Sequence, residues 1–169
     1  LNLVGITGTK GKSSTCYFVR SILDNYLEAK NQPKSAVVSS IETYDGIINK
    51  ESSLTTPEAI DLHKHFDNAI HSKIQFLEME VSSQALKYDR VLGVNFDVAC
   101  FLNIDLDHIS PVEHKDFNDY FSSKLKIFNQ CTYACINIDD EHSEEILENA
   151  KKAQKIITFG TTNTADIYG

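Results

Sequence analysis

The chain opens Leu1-Asn2-Leu3-Val4-Gly5-Ile6-Thr7-Gly8-Thr9-Lys10-Gly11-Lys12-Ser13-Ser14, an apolar run that passes through a glycine-containing turn into a helical pattern. Residues 1–7 are short and nearly continuous in hydrophobicity, as expected of a strand buried on both faces. From Lys12 to about Leu27 the positions Cys16, Val19, Ile22, Leu23, Tyr26 and Leu27 recur at helical spacing, until Asn31-Gln32-Pro33 breaks the pattern. The turn between them suits a phosphate. Glycines let the backbone bend so that its N–H groups surround an anion, and the helix N-terminus adds partial positive charge. Lys12 is a mobile cation for β- and γ-phosphates, and the Ser13 hydroxyl can ligate Mg²⁺. The strict GxxxxGK[ST] spacing fails because Ile6 stands where its first glycine belongs. A plain strand–helix turn with an exposed lysine is the competing reading.

The same alternation continues along the chain. Strands are expected at 35–40, 74–81, 96–104, 132–138 and 155–159, with a turn at Tyr44-Asp45-Gly46. Thr56-Pro57-Glu58 predicts a helix start, with threonine as N-cap, and Ala59, Leu62, Phe66, Ala69 and Ile70 form its buried face. A further helix is expected over 117–129, and Asp139 or Asp140 can cap one carrying Ile146, Leu147 and Ala150. Residues 165–169 read as a connection or a strand whose partner lies beyond the chain. Strands and helices in this order predict an α/β domain with a mostly parallel sheet flanked by helices.

With 169 residues, 41% hydrophobic and 24% charged, the chain has the make-up of one globular domain rather than a disordered segment. The net charge of −8 excludes a nucleic-acid scaffold, so a phosphate must be held by local dipoles and a few placed cations. No apolar run reaches the roughly 20 residues needed to span a bilayer, and no membrane role is expected. Cys16, Cys100, Cys131 and Cys135 form no CxxC pair and are expected as free, buried thiols in a reducing cytoplasm, with metal or redox use as the alternative. The only methionine is Met79, so the chain is expected to be a piece of a longer protein.

In a parallel sheet, ligands gather at the carboxyl ends of the strands, which points to 8–14, 80–83 and 103–108. Glu80, at a strand end, is a candidate magnesium ligand; a carboxylate capping a helix that starts at Ser82 or Ser83 is the alternative. His108, after Asp107, is a candidate metal ligand or general base, or merely structural, and Lys124 follows on a helix. His63, His65, His71, His114 and His142 fall on polar or loop segments and are expected to be solvated.

Gly8-Thr9-Lys10-Gly11-Lys12-Ser13-Ser14, then Thr55-Thr56-Pro57-Glu58, then Glu80-Val81-Ser82-Ser83-Gln84-Ala85-Leu86 stand in a definite order. Asn103-Ile104 through Asp107-His108, Tyr120 through Lys124 and Asn137-Ile138-Asp139-Asp140 follow them. In that order they resemble the central ATP-binding domain of the Mur ligase superfamily, over nearly the whole chain. The resemblance implies a P-loop NTPase-like fold over 1–169, with an N-terminal UDP-binding domain and a C-terminal domain absent. It further implies an ATP-dependent ligase that forms amides through an acyl phosphate in peptidoglycan precursor synthesis. The TTPE and EVSS pair is most similar to members that add the third residue to a UDP-N-acetylmuramoyl-dipeptide. Lys10 in place of asparagine, Gln84 in place of histidine and the Ser110-Pro111 stretch depart from the family pattern.

By resemblance, Gly8, Thr9, Lys10, Gly11, Lys12, Ser13 and Ser14 hold the phosphates and Asn137 faces the adenine. Ser13 and Glu80 hold one Mg²⁺ and His108 a second, while Lys124 is carbamylated and becomes an anionic metal ligand. Lys12, Glu80, His108 and Lys124 are the catalytic set, and Thr55, Thr56, Ser82 and Ser83 contact the acceptor. The implied partners are a UDP-muramoyl-peptide, an amino acid and the flanking domains, without which the fragment is expected to be inactive. Two other readings compete: a folylpolyglutamate or poly-γ-glutamate synthase-like ligase, favoured by Gly11-Lys12-Ser13-Ser14-Thr15-Cys16, and a catalytically silent nucleotide-binding module.

Overall fold

The central strands are buried nearly without a break, so the sheet is covered on both faces. The structure, a computed structural model, describes residues 1–107, 109–110 and 112–169. Strand β1 (Asn2–Thr7) turns Val4 and Ile6 to one face, where helix α1 (Lys12–Glu28) packs Cys16 and Val19 against them. On the other face Gly5 leaves room for the ring of Phe96, which a Cβ would approach to 2.8 Å. That face carries the larger core, covered by α2 (Ala59–His71), α3 (Ser83–Lys87), α4 (Phe117–Leu125) and α5 (Ser143–Ala150). Phe101 stacks on Phe128 at 5.9 Å and meets Phe121 edge-on at 6.3 Å. Burying a side chain of that size stabilises the fold by about 1.5–3 kcal/mol.

The remaining strands are β2 (Ala36–Val38), β3 (Glu42–Tyr44), β4 (Asn49–Glu51), β5 (Phe76–Glu80), β6 (Phe96–Phe101), β7 (Cys131–Asn137), β8 (Lys155–Gly160) and β9 (Ile167–Tyr168). Their order across the sheet is β4-β3-β2-β5-β1-β6-β7-β8-β9. All pairings from β2 to β9 are parallel, and only the β3–β4 hairpin and its join to β2 are antiparallel. The α/β prediction stands. β5, β1 and β6 lie side by side, so their carboxyl ends, Glu80, Thr7 and Phe101, open onto one edge.

Several local expectations are corrected. The stretch read only as a turn is a hairpin: β3 and β4 are too short and polar for a period to show, and Asp45 closes their connection by accepting from the N–H groups of Ile47 and Ile48. Thr56 is not an N-cap; α2 begins after Glu58, and the Thr56 side chain is committed elsewhere. Neither Asp139 nor Asp140 is the N-cap of α5, which is His142; Asp140 stands two residues earlier, accepting from His142 N with one carboxylate oxygen and from Ile104 N with the other. The helix expected over 117–129 ends at Leu125 and tightens into a 3₁₀ turn, Lys126–Gln130. β9 finds its partner within the chain, on β8. His65 and His114 are buried, not solvated, because Asp45 and Ser83 offer each ring a polar partner inside the core. The cysteines are free as expected; Cys16 and Cys100 are buried, but Cys131 and Cys135 are only half-buried. Among the described residues no helix is long and apolar enough to cross a membrane.

Candidate active site

The turn after β1 is held open by two glycines and clamped by one asparagine. Gly11 adopts φ 83° and Gly8 φ 151°, both in the region that favours glycine. Asn103, just past β6, accepts from the N–H groups of Thr9 (3.0 Å) and Lys10 (2.9 Å) and donates to the Lys10 carbonyl (3.1 Å). Thr9 adds a bond between its hydroxyl and that of Tyr120, 3.0 Å away. Lys12 curls back over the loop, donating to the carbonyls of Gly8 and Thr9. Burial pulls its ammonium below the ordinary lysine value, with the Glu80 carboxylate opposing. Lys10 points outward onto Asp107 at 2.8 Å, so its charge is answered there rather than added to the loop.

Glu80 is almost fully buried at the end of β5 and does not cap a helix. Its Oε1 accepts from the N–H and hydroxyl of Ser40, whose Oγ lies 3.1 Å from Ser13 Oγ. Ser13, Ser40 and Glu80 thereby present hard oxygen donors side by side, the chemistry magnesium requires. The next helix is capped by Ser82, which accepts from Ala85 N. Thr56 joins the two segments: its hydroxyl donates to the Glu80 carbonyl (2.9 Å) and accepts from Ser82 N (3.0 Å).

Lys124 is buried to 2% exposure on α4 and donates to the Gly8 carbonyl at 2.9 Å. Its ammonium sits 4.9 Å from the centroid of the Tyr120 ring. Burial first, and the nearby Lys12 second, bring its pKa down to about 7. Lys12, Thr55, Thr56, Ser82, Ser83 and Lys124 all line one cleft of about 180 Å³. Asn137 stands apart from it, beside a shallow groove with Phe159 and Tyr168, and its side-chain amide is already engaged by Leu102 O and Asp139 N. His108 lies outside the described residues.

The structure also brings in residues to which the sequence assigned no role. Ser40 belonged to a predicted strand, and its position at that strand's carboxyl end was the signal available. Asn103 and Tyr120 sat within quoted motifs, and only their contacts reveal them as clamps. Arg90 lines the cleft, pairs with Glu58 at 2.8 Å and donates to Thr56 O; no local pattern marks it.

A glycine loop at a helix N-terminus and a buried lysine facing hydroxyl groups across one cleft fit a nucleotide-dependent transferase or ligase, and the comparisons with known proteins narrow the choice. The Mur ligase middle domain matches residues 6–169. The chain belongs to the Mur ligase family. It is 41% identical over 170 residues to a UDP-N-acetylmuramyl-tripeptide synthetase of Bifidobacterium longum, covering 100% of this chain and 32% of that protein. It is 39% identical to a UDP-N-acetylmuramoyl-L-alanyl-D-glutamate--L-lysine ligase of Enterococcus faecalis, over 99% of this chain and 32% of that one. Among solved structures, a UDP-N-acetylmuramoyl-L-alanyl-D-glutamate--2,6-diaminopimelate ligase superposes with TM-score 0.75 at 26% identity, over 99% of this chain and 34% of that one. A Mycobacterium tuberculosis folylpolyglutamate synthase shares the fold at TM-score 0.60 and 15% identity, covering 94% of this chain and 42% of that one. The chain spans about a third of the length of the curated relatives it matches.

Proposed function

We propose that this domain is the ATP-binding centre of a cytoplasmic ligase that joins an amino acid to a UDP-N-acetylmuramoyl-peptide, most similar to the third-residue-adding step. Flanking domains would grip the UDP group and bring the amine. The observation that carries the reading is the single cleft in which Lys12 and Lys124, from the phosphate side, face Thr55, Thr56, Ser82 and Ser83. An acceptor carboxylate seated on those hydroxyls would attack the γ-phosphorus of ATP, forming an acyl phosphate as ADP leaves. The amine would then attack the acyl carbon, losing a proton as phosphate departs.

The residues divide the work by chemistry. The loop backbone and Lys12 would hold the triphosphate in line, and the Asn103 clamp keeps the loop's N–H groups fixed in advance of the reaction. Ser13 and Glu80, with Ser40 between them, would hold magnesium. Magnesium, when bound, supplies positive charge that offsets the triphosphate. Lys124, held near neutrality, is a nucleophilic amine at physiological pH and so suited to take up CO₂. The N–C bond forms, a proton leaves, and the carbamate turns a repelling cation into an anionic oxygen donor. Ser14 and Asn137 are assigned to the nucleotide side, and His108 to a second ion.

The test is acceptor-dependent phosphate release by the chain carrying both flanking domains, with hydroxylamine present to trap the acyl phosphate. Release and a hydroxamate with the UDP-muramoyl-dipeptide are expected. Turnover with a folate or polyglutamate acceptor instead, or nucleotide binding without any turnover, would overturn the proposal. The isolated domain is expected to bind nucleotide and form no product.

A further inference from the structure

One fully buried imidazole has no part in the chemistry described so far. His114 is 0% exposed, in the segment leading into α4. Its Nε2 lies 2.9 Å from Ser83 Oγ, and its Nδ1 faces Asp119 Oδ2 at 3.4 Å. The ring packs edge-on against Tyr120 at 5.2 Å, so it cannot turn without displacing the side chain that bonds Thr9. Asp119 is itself anchored by Lys87 at 2.6 Å and by the Lys115 N–H. Burial, then the nearby Lys87 charge, lowers the imidazole pKa against the pull of Asp119, which favours the neutral ring.

A buried ring that served only to fill space would be better apolar, because an imidazole brings two polar nitrogens that must be satisfied. Here one nitrogen is spent on a hydroxyl of the cleft wall. Among the described residues Nδ1 makes no hydrogen bond, but the Asp119 carboxylate oxygen 3.4 Å away favours a proton there electrostatically, and Nε2 is then the nitrogen that accepts from the Ser83 hydroxyl. The Ser83 lone pairs are left to face the cleft, ready to accept from an N–H. We propose that His114 is a positioning residue that fixes Ser83 as a hydrogen-bond acceptor for an amide N–H of the acceptor peptide. The inference rests on Ser83 facing the acceptor, as in the function proposed above. Without the imidazole, the hydroxyl rotates freely and is as ready to donate as to accept.

The experiment is a set of variants in the chain with its flanking domains: Ser83→Ala, His114→Phe, His114→Gln and the double Ser83→Ala/His114→Phe. Phe keeps the ring and removes the bond; Gln keeps a polar atom within reach of the same hydroxyl. His114→Phe is expected to raise the KM for the muramoyl-peptide about tenfold. The KM for ATP and kcat are expected to change less than about twofold. Gln should restore most of the loss, and the double variant should be no worse than Ser83→Ala alone. Additive losses in the double variant, a matching rise in the KM for ATP, or no rescue by Gln would overturn the inference. An unchanged acceptor KM in Ser83→Ala would overturn it and leave the proposed reaction standing. Absence of acceptor-dependent turnover in the unmutated chain would remove both.

Discussion

The glycine loop after β1 and the hydroxyl-lined wall of the cleft are built by opposite means. The loop is one contiguous segment whose useful groups are backbone N–H donors, set by two glycines and one clamping asparagine. The wall is assembled from separate segments, and each piece is held by a side chain: Thr56 to the Glu80 carbonyl, His114 to Ser83, Lys124 to the Gly8 carbonyl. A backbone site tolerates most side-chain changes but not a change at its glycines. A side-chain site fails at whichever residue is removed. Lys124 belongs to both, since it touches the loop and lines the wall.

That double membership gives the largest expected effect. Lys124→Met should lower kcat on the order of 10²–10³-fold, with the nucleotide still bound, because the amine proposed to carry the carbamate is removed. Phosphate release in the full-length chain measures it, and ¹³C-bicarbonate should yield a carbamate carbon signal in the unmutated protein only. Near-normal turnover would break the claim that the two regions meet at this residue.

The next effect separates the regions. Gly8→Ala places a Cβ 3.0 Å from Leu102 Cβ and 3.3 Å from Asn103 N, at a φ of 151°. Nucleotide affinity should fall roughly 10- to 100-fold while the acceptor KM stays put. A nucleotide titration decides, and an unchanged affinity would mean that the loop reshapes at little cost. Asn103→Ala is a milder version. It strips the clamp from a half-buried position, so affinity should drop about threefold to tenfold.

The smallest effect concerns the hairpin that leads into the wall. Asp45 is buried and accepts from His65 Nδ1 (2.7 Å), Asn68 Nδ2 (2.9 Å) and the Ile47 and Ile48 amides. Burial alone would raise its carboxyl, but those bonds outweigh burial and hold it below its ordinary value of 3.8. An acid depressed in this way contributes its full stability above its unfolded value and loses it as pH falls through the folded one. The melting temperature should therefore drop by about 2–4 °C for each ~1 kcal/mol lost in strong acid. Asp45→Asn should start lower and show a flatter acid slope; parallel slopes would remove Asp45 as the anchor.

The fold was legible where its signals were local. The apolar runs of β1, β5 and β6 and the spacing of Cys16, Val19, Leu23 and Leu27 in α1 rest on neighbours along the chain. The β3–β4 hairpin was not legible, because three-residue polar strands have no period and their anchor, the Asp45–His65 bond, joins different elements. At the site, Lys12, Ser13, Glu80 and Lys124 could be named in advance, whereas Ser40, Arg90 and His114 could not. Their roles consist of contacts with residues far away in the chain, and locally Ser40 reads as the end of a strand and the other two as loop or surface residues.

What the chain order alone determined is the parallel α/β plan and the glycine loop with its lysine, since periodicity and turn chemistry act over a few residues. The missing strict P-loop glycine at Ile6 did not obscure it. Ile6 is buried in β1, and the turn begins at Gly8. Only the tertiary structure decided which side chains meet. Sheet order sets Glu80 beside Ser40 across 40 residues, and the docking of α4 sets Lys124 on Gly8 across 116. Burial then decided their chemistry, bringing Lys124 to about 7 and removing His114 from water, because desolvation depends on what surrounds a group and not on its neighbours in sequence.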